Sequence, residues 1–279
     1  MGRKLFCEIS PLTYKISLFK CRTVRKIKDL LGGQSFAKIK QEKDLLPVLV
    51  YKHNSLIRRK LGNTQPELQD NKAVNLAISA PKINGVLIRP GETFSFWHLI
   101  GNPTAAKGYK NGVTLFKNGV KPGIGGGLCQ FTNLIHWMVL HTPLTITEHH
   151  HHDGIDLFPD YNRQVPFGTG TSILYNYLDY RFKNETDVTY QLITYVTETH
   201  LCGELRASEN LPVKYHIKSE NEHFVHLGDS VYRRSKVYRT CLDKATGNEL
   251  FRELIRDNNA KVMYDTSHLI VENEASENE

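Results

Sequence analysis

The chain has 279 residues, 40% of them hydrophobic and 23% charged, so it can bury a core of its own and is neither a disulfide-stapled miniprotein nor a disordered polymer. Its formal charge of +7 is uneven: residues 1–60 hold 15 Lys/Arg against 4 Asp/Glu, and the remainder is acidic on balance. A basic fifth of this kind attracts phosphate or an anionic membrane face; it holds no nucleic-acid reading module, so no specific nucleic-acid partner is expected, and a solvated helix face is the default reading.

The five cysteines, Cys7, Cys21, Cys129, Cys202 and Cys241, are odd in number and lack a CxxC pair. Reduced thiols and a cytoplasmic location are expected. Apolar runs near residues 5–8 and 16–19 are interrupted by polar residues and are too short for a secretory core or a bilayer span, so neither a signal peptide nor a transmembrane helix is expected.

In chain order, residues 1–64 form a basic segment expected to be helical, weakly amphipathic and broken at Gly32-Gly33. The apolar run at 45–51 has strand character, but Pro47 lies inside it, and its type stays open. Over 67–80 the apolar positions Leu68, Ala73, Val74, Ala77 and Ile78 approximate helical spacing, which Pro81 should end. Short β elements and turns come next: Val86–Ile88, a type II turn at Pro90-Gly91, period-two alternation at 93–96, and turn dipeptides at Asn84-Gly85, Asn111-Gly112 and Asn118-Gly119.

Three glycines, Gly125, Gly126 and Gly127, lead into residues 128–141, where Leu128, Phe131, Leu134, Ile135 and Met138 form one helical stripe. Cys129 then sits in the first helical turn, where free N–H groups and the positive dipole end favour a thiolate. After Thr142-Pro143, residues 144–152 alternate as a strand. Leu144 and Ile146 set its inward face, which puts Glu148, His150 and His152 inward and His149 and His151 outward. The leading reading is a thiol enzyme for acyl transfer or amide hydrolysis. In it Cys129 is the nucleophile, His150 or His152 the base, and Gln130 or the preceding backbone N–H groups the oxyanion stabiliser.

Two readings compete with it. In the first, a non-catalytic pocket takes a small-molecule or peptide ligand through Gly125, Gly126, Gly127, Glu92, Glu148, Asp179 and Arg181, with Cys129 a buried filler. In the second, His150, His152 and a thiolate hold zinc; with no second Cys or HExxH pattern that set is incomplete, and no metal or cofactor is the default. Glu92 also suits a local bond to Arg89.

Beyond residue 170 the chain is strand-rich. In 173–182, Leu174, Leu178, Tyr180 and Phe182 share one face, while Asp179, Arg181 and Lys183 share a wet face. Residues 190–197 read as a strand, hairpins are expected at Gly228-Asp229 and Thr246-Gly247, and the acidic tail 272–279 is expected to be disordered. The fold class is α+β: a helical basic N-terminal segment (1–64), a core (65–190) whose central helix packs on a mainly antiparallel sheet, and a strand-rich C-terminal region (191–279).

Three blocks carry a family resemblance: Ile88-Arg89-Pro90-Gly91-Glu92-Thr93-Phe94-Ser95-Phe96-Trp97, Gly125-Gly126-Gly127-Leu128-Cys129-Gln130, and Glu148-His149-His150-His151-His152. With residues 71–76, 167–173 and 177–184 they resemble the VanW-like family over about residues 65–190. The resemblance implies a link to glycopeptide resistance and the bacterial cell envelope, and by name a peptidoglycan-related ligand; it implies no reaction. Two departures stand out: His149 occupies a position where many members carry Arg, and Gly170 one where many carry Asp. If that Asp orients an imidazole, the role here would pass to Asp153, Asp156 or Asp179, or be absent.

Overall fold

Ser10 opens helix α1 (Pro11–Leu31) by accepting the Thr13 N–H at 3.2 Å, and Pro11 takes the first helical position, where no N–H is needed. The computed structural model describes residues 5–58, 65–116, 119–151, 154–157, 159–160, 164–175 and 177–273. After Gly33, at φ +61°, the chain runs extended, bridging Phe36 to Thr93 and Lys40 to Val86. It then enters β1 (Val48–Leu56), which starts immediately after Pro47 and so escapes the conflict between proline and strand. The helical expectation for residues 1–64 therefore holds over α1 and fails over 48–56, where β1 pairs with a late strand of the core.

Helix α2 (Pro66–Ile83) runs past Pro81, which sits in its last turn, and Asn84 caps it through Ala80 O. Strands β2 (Val86–Ile88) and β3 (Thr93–Ser95) and the short helix α3 (Phe96–Ile100) come after it. Between β2 and β3, Gly91 at φ +79° and the Glu92 N–H to Arg89 O bond make the expected turn. Strands β4 (Asn111–Phe116) and β5 (Gly119–Ile124) form a hairpin; Asn111-Gly112, expected as a turn, opens β4, and Asn118 lies outside the described residues. Helix α4 (Cys129–Val139) and the short strands β6 (Thr145–Glu148), β7 (Ile155–Asp156) and β8 (Arg181–Lys183) complete the middle of the chain.

The central sheet has the order β1-β10-β9-β2 and is antiparallel throughout, with β9 (Tyr190–Val196) and β10 (His200–Ala207) at its centre. Helix α4 lies directly on it. A Cβ at Gly203 of β10 would fall 2.8 Å from the Met138 methyl and 2.9 Å from Leu134 Cδ2, so only glycine admits that approach. Leu134, Ile135, Met138, Leu192, Leu205, Phe94, Phe96, Phe131 and Phe182 share the core, each buried side chain contributing roughly 1.5–3 kcal/mol. The expected α+β arrangement of a central helix on an antiparallel sheet is what the chain adopts.

A second sheet, β3-β8-β6, abuts the core. The C-terminal sheet, β14-β11-β12-β13-β7, is built on three long strands: β11 (Val213–Leu227), β12 (Ser230–Asp243) and β13 (Glu249–Val262). They turn at the two expected hairpins, and β14 (Val271–Asn273) adds in parallel to β11. Residues 173–182 do not form one strand: Leu174 bridges Leu178 around a turn, and β8 begins only at Arg181. The tail beyond residue 273 lies outside the described residues.

Candidate functional site

The glycine run is a packing turn. Gly125 and Gly127 take φ of +74° and +90°. A Cβ on Gly126 would lie 2.3 Å from the Gly112 backbone, and one on Gly127 would lie 2.2 Å from Lys72 Cγ. Buried Asn75 pins the turn, donating to Gly126 O at 2.9 Å and Lys110 O at 3.1 Å and accepting the Lys110 N–H at 2.8 Å. Gly125 and Gly126 give their own N–H groups to Lys110 O and Gly123 O. Those two amides are spent inside the protein and are not presented to an anion.

Cys129 is the first residue of α4, as expected. Part of the residue's surface stays accessible. Burial raises the thiol pKa, the Ile173 backbone lowering it by less. Thr132 and Thr171 hydroxyls both reach Cys129 O, and Asn133 Oδ1 fixes Thr171 through its N–H at 2.6 Å. Gln130, the expected oxyanion donor, gives both Nε2 hydrogens to β1, at Ser55 Oγ and Leu56 O, each 2.8 Å away. Glu92 holds its own turn, accepting the Arg89 N–H at 2.8 Å.

Glu148, Asp179 and Arg181 converge, with two residues of α1 added. Asp179, 1% exposed, accepts from Ser95 Oγ at 2.5 Å, the Tyr180 and Trp97 N–H groups at 2.9 and 3.1 Å, and Arg181 Nε at 2.7 Å. Arg181 also forks onto Asp29 at 2.6 and 2.8 Å. Arg25 forks onto Glu148, which further accepts the Asp179 N–H at 2.9 Å and His150 Nε2 at 2.9 Å. Burial pushes the Glu148 carboxyl up, but Arg25, the Asp179 amide and His150 outweigh it, and its pKa is lowered. Asp179 and Arg181 are thus buried under α1, not on a wet sheet face: the charges are matched across elements that a local period cannot see.

The histidine run does not keep the expected alternation. Opposite β8 the register shifts between Ile146 and Glu148, and Glu148 keeps the inward side expected of it. The strand stops at Glu148. His149, expected outside, packs tilted against His136 with ring centres 4.1 Å apart and bonds through Nε2 to Gly170 O at 3.1 Å; His151 packs tilted against His149 at 4.0 Å. The two family departures, His149 and Gly170, therefore touch. His150 pairs with Glu148, and its carbonyl accepts the Ser172 N–H at 2.6 Å. His152 and Asp153 lie outside the described residues; Asp156 is held by Arg233 and Tyr264. Among the described residues, no group of three His, Cys, Asp or Glu side chains is arranged to hold a metal.

His136 was missed in the sequence. It is 1% exposed, bonds Tyr180 OH through Nδ1 at 3.1 Å, and has no partner at Nε2 among the described residues. Burial first, then the nearby His149, His151 and Arg239, lower its pKa well below the usual imidazole value. It lines a cleft of about 500 Å³ between α4, β6 and the C-terminal sheet, with His149, Thr145, Tyr215, Arg239 and Glu253. Arg239 stands 4.1 Å over the Tyr215 ring, pairs with Glu253 at 2.9 Å, and leaves its buried Nε without a partner among the described residues. The signal was available: Cys129, Thr132 and His136 interrupt the helix at i, i+3 and i+7, which puts them on one face.

The chain belongs to the VanW-like family, whose profile, described as "VanW like protein", matches residues 71–206. It is 32% identical over 219 residues to the vancomycin B-type resistance protein VanW of Enterococcus faecalis, covering 78% of this chain and 79% of that one. It is 30% identical over 118 residues to the uncharacterized protein YoaR of Bacillus subtilis, covering 41% of this chain and 36% of that one. No solved structure matches.

Proposed function

We propose that this protein serves glycopeptide resistance at the bacterial cell envelope as a ligand-binding component, holding a small anionic or peptide ligand in the cleft between α4, β6 and the C-terminal sheet. One observation carries this reading: two buried nitrogens without a partner among the described residues, His136 Nε2 and Arg239 Nε, belong to side chains lining the same cleft, beside His149. A volume of about 500 Å³ suits a small organic ligand. Burial first, and then His149, His151 and Arg239, keep His136 neutral; a carboxylate bound beside Arg239 should draw a proton onto it. The envelope link rests on the name of the Enterococcus relative. Five unpaired cysteines support a reducing, cytoplasmic setting.

The test is calorimetric titration with a peptidoglycan stem peptide carrying a free C-terminal carboxylate, and with its C-terminal amide. The carboxylate should bind, more tightly at lower pH, and Arg239→Gln should weaken it by about tenfold or more; Cys129→Ala should leave it unchanged. Loss of binding in Cys129→Ala with no effect of Arg239→Gln would overturn the reading.

A thiol reading keeps one specific support: Cys129 and the Glu148–His150 pair flank the same 171–173 segment, and Glu148 orients His150 as a catalytic acid orients its imidazole. Alkylation of Cys129 near neutral pH at a rate that falls in His150→Ala would favour it.

A further inference from the structure

Helix α1 is tied to the protein by its polar side. Arg25 and Asp29 are engaged with Glu148 and Arg181, and Arg22 lies 5.1 Å over the Tyr175 ring. On a helical wheel these residues share one face with Leu18. The opposite face carries Leu12, Ile16, Phe19, Thr23, Ile27 and Leu30, at spacings of four, three, four, four and three, within an arc of roughly 80°. It points away from the protein: Phe19 is 73% exposed and Leu30 82%. Leu5, Phe6 and Ile9 extend the exposed apolar surface ahead of the helix.

Lysines border this stripe on both edges, Lys15 and Lys26 on one side and Lys20 and Lys28 on the other, and all four are exposed. The helix holds six Lys/Arg against a single Asp. Two copies meeting face to face would set lysine rows against lysine rows. An anionic bilayer answers both features, taking the apolar side chains below its headgroups while the lysine stems snorkel to the phosphates.

We propose that the outward face of α1 seats the protein in the plane of an anionic lipid surface, with the Arg25 and Asp29 ion pairs holding the core against the helix's upper side. This is independent of what the cleft binds. The amphipathicity runs opposite to that of an ordinary surface helix, because its polar side meets the protein and its apolar side faces outward.

The experiment is co-sedimentation of the full chain with vesicles of equimolar phosphatidylglycerol and phosphatidylcholine, and with phosphatidylcholine alone, at low and high salt. Binding should require the anionic lipid and weaken with salt. Lys→Gln at positions 15, 20, 26 and 28 together should reduce partitioning on the order of 10²–10³-fold. Ile16→Ser with Phe19→Ser should reduce it about 10–100-fold. Both variants alter exposed side chains and should keep the parent's thermal midpoint, and Phe19→Trp should show a blue-shifted emission on the anionic vesicles. Failure to sediment at low salt, or equal partitioning onto pure phosphatidylcholine, would overturn the proposal. So would a dimer in light scattering that Ile16→Ser with Phe19→Ser dissolves, since the stripe would then belong to a second copy.

Discussion

Replacing Asp179 by Asn keeps its shape and removes its charge. The carboxylate accepts from four donors: two backbone N–H groups on Oδ1, and Ser95 Oγ and Arg181 Nε on Oδ2. An Asn whose Oδ1 keeps the two backbone N–H groups must turn its NH₂ toward Arg181 Nε, setting donor against donor in a site 1% exposed. Losing one charge-assisted bond and leaving a guanidinium nitrogen unpaired should cost about 3 kcal/mol, the retained Asp29 fork limiting the damage. For a chain of this length that is on the order of 6–12 °C in thermal midpoint. Calorimetric or circular-dichroism melting of Asp179→Asn beside the parent reads it directly. A midpoint unchanged within a degree or so, together with lost ligand binding, would refute the structural role and return Asp179 to the ligand-contact residues the sequence suggested.

Stability should fall on acidification before any carboxylate titrates. Burial depresses His141 to about 4 and lowers His136 as well, so the unfolded chain takes up protons from about pH 6.5 downward while the folded one resists. Urea titrations at about pH 7.5 and 5 should differ by about 2 kcal/mol from His141 alone, and His136→Gln should shrink the total difference. Glu148, with its pKa lowered, adds a later loss as pH drops through its folded value. Gly126→Ala, which forces a methyl against Gly112, should cost about 1–3 kcal/mol in the same assay. Iodoacetamide should modify Cys129 more slowly than free cysteine near neutral pH, and the rate should climb only under alkaline conditions. Arg25→Ala should leave the core's melting nearly unchanged while making α1 more susceptible to limited proteolysis, because it cuts one of the two ion-pair forks that dock the helix.

The sequence revealed features whose cause is local. The 190–197 strand, the hairpins at Gly228 and Thr246, and a helix opening at Cys129 after three glycines all come from period and turn chemistry within a few residues. Elsewhere the deciding partner was distant. Asp179 and Arg181 alternate like a solvated face, and distant partners let them be buried: Ser95 and Trp97 for Asp179, and Asp29, 152 residues earlier, for Arg181. The strand ends at Glu148, so the period of two used to face the histidines does not reach them. His136 was obscured by an otherwise apolar helix, although its spacing from Cys129 marked the shared face. The seven-residue step between them spans roughly 10 Å along the axis, too far for a nucleophile and its base.

The long reach of the Asp29–Arg181 fork also orders events during synthesis. Asp29 of helix α1 leaves the ribosome 152 residues ahead of its partner arginine, a wait of roughly 8–30 s at ordinary translation speeds. Through that interval both sides of the helix are unclaimed, its charged side lacking Glu148 and Arg181 and its apolar side facing water. A nascent chain in that condition is open to any surface that will take an amphipathic helix, and whatever takes it first determines where the rest of the chain folds.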